Sequence, residues 1–161
     1  MYAARPMNKM LLVLLLLFTI VLSIVGCGGG DDDTSTDSLT KAQFVEQGNV
    51  ICVKGEKGIE AKLQQFVKED LPENRLPSKD QLTEVAEDIL IPSVDEEVEE
   101  IRALGVPAEG AKEAKAVLAA YDQAIEEGEK DPVTMGSKSV VVFRDANQKA
   151  AAFGLTKCLV N

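Results

Sequence analysis

The sequence predicts an all-α fold, a small bundle of about four helices, on three observations. Apolar residues recur at spacings of three and four across most of residues 40–158, the period at which one face of a helix returns. Two stretches, Thr40-Lys41-Ala42-Gln43 and Ser78-Lys79-Asp80-Gln81, carry the capping box, in which a hydroxyl and a glutamine side chain each satisfy a backbone N–H at a helix start. Only Val140-Val141-Val142 reads as strand, and no partner strand is visible elsewhere.

The first helix begins at Thr40, with Leu39 placed to staple onto Phe44. Phe44, Gly48, Ile51, Gly55, Ile59, Leu63 and Phe66 form its stripe, flanked by Val45, Cys52 and Val67. Gly48, Gly55 and Gly58 each cost about 1 kcal/mol against Ala inside a helix, and two of them lie on the stripe itself. Either a neighbour approaches closely there or the helix breaks near Gly48-Asn49; close approach is the favoured reading. Leu71 to Pro77 is a loop by its prolines. Leu82, Val85, Ile89, Val94, Val98, Ile101 and Leu104 then carry a second apolar face. Pro92 interrupts it, because proline lacks the N–H and its ring meets the carbonyl four residues back. A kinked or broken second helix is expected, with Ser93-x-x-Glu96 able to recap a restart and Gly105 ending it.

Pro107 is expected to open the third helix, striped by Ala111, Ala114, Leu118, Tyr121 and Ile125 and closed by Gly128 and Asp131-Pro132. After a loop to Ser137, a fourth element runs from Val140 to Phe153, with Phe143, Ala146, Ala150 and Phe153 at helical spacing. Gly154 is placed to cap it, with Leu155 packing back.

Ahead of this domain, Arg5 and Lys9 precede an apolar run of 15 residues from Leu11 to Val25, and no acid appears before Asp31. A basic start, an apolar middle and a small residue at the end make a secretory signal. The run is short of the ~20 residues that cross a bilayer, and no basic stop-transfer flank follows it; an uncleaved single span is the competing reading. Ile24-Val25-Gly26-Cys27 resembles the bacterial lipobox. The resemblance implies cleavage after Gly26 and a diacylglyceryl group on Cys27, an anchor that is stable once two or more chains are attached. Gly28, rather than Asp, follows the cysteine, so the familiar inner-membrane retention signal of Gram-negative cells is absent and an outer membrane stays possible if the source has one. Met7 and Met10 are alternative starts. The chain thus divides into a signal peptide over 1–26, a lipidated cysteine with a Gly/Asp linker over 27–39, and a helical domain over 40–161.

All 27 acids follow Cys27, against the 15 Lys and Arg left once Arg5 and Lys9 depart, so the mature part carries about −12. That charge disfavours nucleic acid and anionic lipid surfaces, which both need positive neutralisation. With Cys27 lipidated, Cys52 and Cys158 remain as an even pair in an oxidising compartment. A bridge between them closes a loop of 106 residues, worth about 4–5 kcal/mol on the chain-entropy account; two free buried thiols are the alternative.

Catalytic residue types are scarce. The chain has no histidine, which excludes His-based triads and imidazole bases. Ser38-Leu39-Thr40-Lys41 matches an S-x-x-K pattern, but a helix cap explains the same residues. An EF-hand reading of Asp31, Asp33 and Ser35 fails, because Thr36 and Ala42 stand where Gly and Glu are required. No metal and no cofactor are expected. Paired carboxylates are what is left: Asp95, Glu96, Glu97, Glu99 and Glu100 form the densest acidic cluster. It reads first as a solvated helix face and second as a patch for a basic partner or a divalent cation.

Three short segments resemble recurrent ones in small secreted actinobacterial proteins and lipoproteins: Phe44 through Cys52, Ile101 through Pro107, and Ala152 through Cys158. The resemblance implies an extracytoplasmic helical domain with Cys52 paired to Cys158, and no activity. The function expected is therefore a lipid-anchored, non-enzymatic interaction or binding module on the outer leaflet of the cell membrane. Its expected partners are the membrane through the anchor and an envelope protein with a basic surface. An alternative is a binding protein that holds a small apolar molecule between helices, where Gly48 and Gly55 thin the wall. A carboxylate-dependent hydrolase is a distant third.

Overall fold

The computed structural model describes residues 38–71 and 75–160. The signal stretch, Cys27 and most of the linker lie outside the described residues. The first capping box forms as the sequence dictates: the Thr40 hydroxyl accepts from the Gln43 N–H at 3.2 Å, and Gln43 Oε1 accepts from the Thr40 N–H at 2.9 Å. Helix α1 then runs unbroken over Lys41–Glu69, so the glycines do not break it.

The Ser78–Gln81 box opens the second arm in the same way. This arm is α2 (Lys79–Glu84), a π-helical segment (Val85–Leu90) and α3 (Ile91–Ala103), in direct succession. The expected kink or break at Pro92 does not occur: the backbone stays helical, and a π turn takes up the proline. The Ile91 N–H reaches back five residues to the Ala86 carbonyl, and the wider turn makes room for a ring that an α-turn would press against a carbonyl. The helix does not restart at Ser93. That residue is buried, and its hydroxyl accepts from Lys62 Nζ at 2.9 Å, tying α3 to α1.

Gly105 and Gly110, both at φ +77°, turn the chain into α4 (Ala111–Lys130). Pro107 does not open that helix; it is fully buried in the connection, and the left-handed Gly110 forms the cap instead. The expected loop to Ser137 is also replaced. The Asp131 carboxylate accepts from the Thr134 N–H at 3.0 Å and its hydroxyl at 2.7 Å. Those two bonds start α5 (Pro132–Val142, kinked at Lys138 where φ is −146°) at once and hold the Asp131 carboxyl below its usual range. Val140, Val141 and Val142 are helical. A bend at Phe143 leads into α6 (Arg144–Phe153), which ends at Gly154 with φ +115°. The Leu155 N–H returns to the Ala150 carbonyl at 2.9 Å and its side chain is buried, as expected of this cap.

The four helical arms pack in a cycle. α1 lies on α3 and the π segment, α3 on α4, α4 on α5 and α6, and α2 on α5. Phe44, Val117, Met135, Phe143 and Leu155 are the fully buried centre. Phe153 meets Phe44 edge-on at 6.0 Å, which closes the cycle. Cys52 and Cys158 form a disulfide with Cα atoms 4.9 Å apart. Arg102 binds both Asp122 oxygens at 2.8 and 2.9 Å, clamping α3 to α4. Among the described residues no helix is long and apolar enough to cross a membrane.

Candidate functional site

The stripe of α1 is covered unevenly. Its first half is closed by the tail and by α6: Phe44, Gly48 and Cys52 are buried. Its second half keeps the same apolar period but lacks a full cover. Ile59 and Leu63 are partly buried, and Val67 is 54% exposed. Across from them stand Leu90 of the π segment and the tail residues Leu159 and Val160. Between these walls runs an apolar groove of about 510 Å³, with the Cys52–Cys158 disulfide among its lining. That volume lies within the range of small-molecule sites, which are mostly apolar with a few placed polar groups.

The tail is held by defined bonds. Asn49 donates to the Gly154 carbonyl at 3.1 Å and accepts from the Lys157 N–H at 2.8 Å. Asn147 likewise donates to the Val160 carbonyl at 2.8 Å and accepts from its N–H at 3.0 Å. The Tyr121 hydroxyl donates to the Cys158 carbonyl from the protein interior. One wall of the groove is therefore a short strap fixed by two amides, a phenol and a covalent bond.

The placed polar group is Glu97. It stands on α3 at the junction between the groove and a smaller cleft of about 170 Å³ that contains Lys54, Lys62, Ser93, Glu96 and Glu100. Its side chain lies flat against Gly55, where a Cβ would collide with the carboxylate. Close approach is thus the reason for both glycines on the stripe, with Leu155 filling the space beside Gly48 and Glu97 that beside Gly55. Neither glycine borders the groove itself. Burial, reinforced by the nearby charges of Glu56, Glu100 and Glu96, pushes the Glu97 carboxyl up to about 7. The Tyr121 phenol beneath it is pushed up as well, by burial and then by the charge of Glu97.

The acidic cluster is split by this geometry. Glu99 pairs with Arg102, and Glu100 pairs with Lys54 at 2.9 Å. Asp95 and Glu96 are exposed, while Glu97 turns inward. Five acids that look like one patch in sequence thus serve at least three different surroundings, as 100° per residue around a helix requires. Among the described residues no group of three His, Cys, Asp or Glu side chains converges to hold a metal. Cys27 lies outside the described residues. The groove walls Leu90, Leu159 and Val160 were not singled out as site residues from sequence; the signal for the last two was an apolar pair directly after a bridged cysteine.

Comparison of the chain with protein-family profiles, curated proteins and solved structures finds no match.

Proposed function

We propose that this chain is a lipid-anchored, extracytoplasmic, non-enzymatic binding module whose helical domain takes a small apolar molecule in the groove between α1, the π segment and the C-terminal tail. The observation that carries this reading is the groove itself. A helix stripe that continues at full apolar period over Ile59, Leu63 and Val67, yet is only partly covered, leaves about 510 Å³ of apolar space beside a disulfide-fixed wall. Burial of a ligand there removes apolar surface from water at about 25 cal/mol per Å², and a wall already fixed in place spares the ordering cost. The address rests on the lipobox-like run ending at Cys27 and on the mature charge. Tethering by Cys27 sets the domain beside a membrane, a source and sink for apolar molecules.

The patch for a basic envelope protein is a weaker second reading, because Glu99 and Glu100 are already paired and Glu97 faces inward. Titration of the mature domain with the neutral dye Nile red tests the ligand reading. Saturable binding is expected, with a fluorescence rise and a higher melting temperature as mass action requires. A Leu63→Glu variant is expected to lose both while folding normally, since Leu63 is only partly buried. Absence of binding to the wild-type domain, or equal binding by the variant, would refute the groove as the site.

A further inference from the structure

We propose that the ligand of this groove is an amphipathic cation, with an aliphatic body against Ile59, Leu63, Leu90, Leu159 and Val160 and a protonated amine against Glu97. This inference rests on the reading of the groove as an apolar-ligand site and adds the chemistry of the head group.

The groove's lining carries three carboxylates, Glu56, Glu60 and Glu97, and a single cation, Lys157. An anionic head group would therefore enter against the prevailing sign, whereas an ammonium enters with it. Position selects Glu97 among the three. Glu56 and Glu60 are exposed on α1, where water screens them. Glu97 is only partly exposed, held against Gly55 where the groove meets the smaller cleft. An ion pair made there is screened much less than one at the rim.

The two lysines on the cleft side of Glu97 are already engaged. Lys54 is bound to Glu100 and Lys62 to Ser93. The Tyr121 phenol, from α4, is bound to the Cys158 carbonyl. The remaining charged neighbours are Glu56 and Glu60 from α1, Glu96 and Glu100 from its own helix, and Lys157 from the tail. Glu97 is thus a partly desolvated acid among acids, bonded to no described side chain and still reached by water. A bound ammonium takes the place of that water.

A pH dependence follows in sign. An ammonium beside Glu97 favours its ionised form, so binding expels the proton that burial retains up to about pH 7. An alkyl amine stays protonated to about pH 10. Affinity for the amine is therefore expected to rise as pH increases through neutrality and then level off, while affinity for a neutral homologue stays flat.

The test is calorimetric titration of the mature domain, at about pH 8, with decylamine, decanol and decanoate below their micellar concentrations. Decylamine is expected to bind about tenfold more tightly than decanol, and decanoate more weakly than either. In Glu97→Gln the amine should lose most of its advantage over decanol, whose unchanged binding certifies the fold of the variant. Glu56→Gln, at the exposed rim, should reduce the amine advantage only slightly. Equal binding of all three probes, or an amine advantage that survives Glu97→Gln, would overturn the head-group assignment and leave the apolar groove standing. Absence of binding by decanol and decylamine alike would overturn the groove as well.

Discussion

At the residue scale, Glu97 is the side chain whose surroundings depart most from what its position in a run of acids suggests. Its carboxyl lies against the bare backbone at Gly55, and burial together with Glu56, Glu100 and Glu96 moves its ionisation from an ordinary 4.5 to about 7. Below the ordinary value both folded and unfolded chains hold the proton, so the contribution to stability is complete. Between that value and about 7 the unfolded chain ionises and the folded one does not, and the contribution is lost as pH rises through the folded value. The full linkage would be about 3 kcal/mol, and the water that still reaches Glu97 reduces this to about 1–2 kcal/mol. Glu97→Gln is accordingly expected to be more stable than wild type by that amount at about pH 8.5 and nearly equal to it at about pH 4. Urea unfolding at the two pH values measures it; a variant less stable than wild type at the higher pH would contradict the account. The presence of an acid here was legible in sequence, but its inward turn was not, because that depends on a glycine 42 positions earlier lying opposite it.

At the element scale, the stops and starts were legible wherever one residue type dictates geometry. Both capping boxes, the turn after Leu104 and the Gly154 cap form as their residues require. The misreadings occur where a residue serves two ends or serves the core. Asp131 closes α4 and caps α5 in the same step, so no loop remains between them. Pro107 has the right form for a first helical turn but fills the core instead. Pro92 disturbs its helix by recruiting a π turn, an accommodation that local pattern does not distinguish from a kink. Glycines divide in the same physical way. Gly136 lies where α5 meets α2, and a Cβ there would collide with the Leu82 carbonyl, whereas Gly58 on α1 faces open space. Gly136→Ala is therefore expected to destabilise by about 1–3 kcal/mol, since backbone has to shift. Gly58→Ala is expected to stabilise by about 0.5–1 kcal/mol through helix propensity. Thermal melts of the two variants check this, and equal effects would contradict the packing described.

At the scale of the whole molecule, one covalent bond makes the groove possible. The Cys52–Cys158 bridge joins the end of the chain to the middle of α1 across 106 residues, and with Asn49, Asn147 and Tyr121 it turns a short tail into a wall. The bridge was legible from cysteine parity. The groove was not, because it is the part of a helix stripe that the other helices cover only in part, and incomplete cover is a property of the assembled fold. The most direct measurement is methyl NMR of the mature domain during titration with decylamine. Shifts are expected at the methyls of Ile59, Leu63, Val67, Leu90, Leu159 and Val160, with the buried methyls of Val117 and Val98 unmoved. Shifts centred instead on the exposed Val140 and Val141 of α5, or no shifts under saturating ligand, would contradict the account.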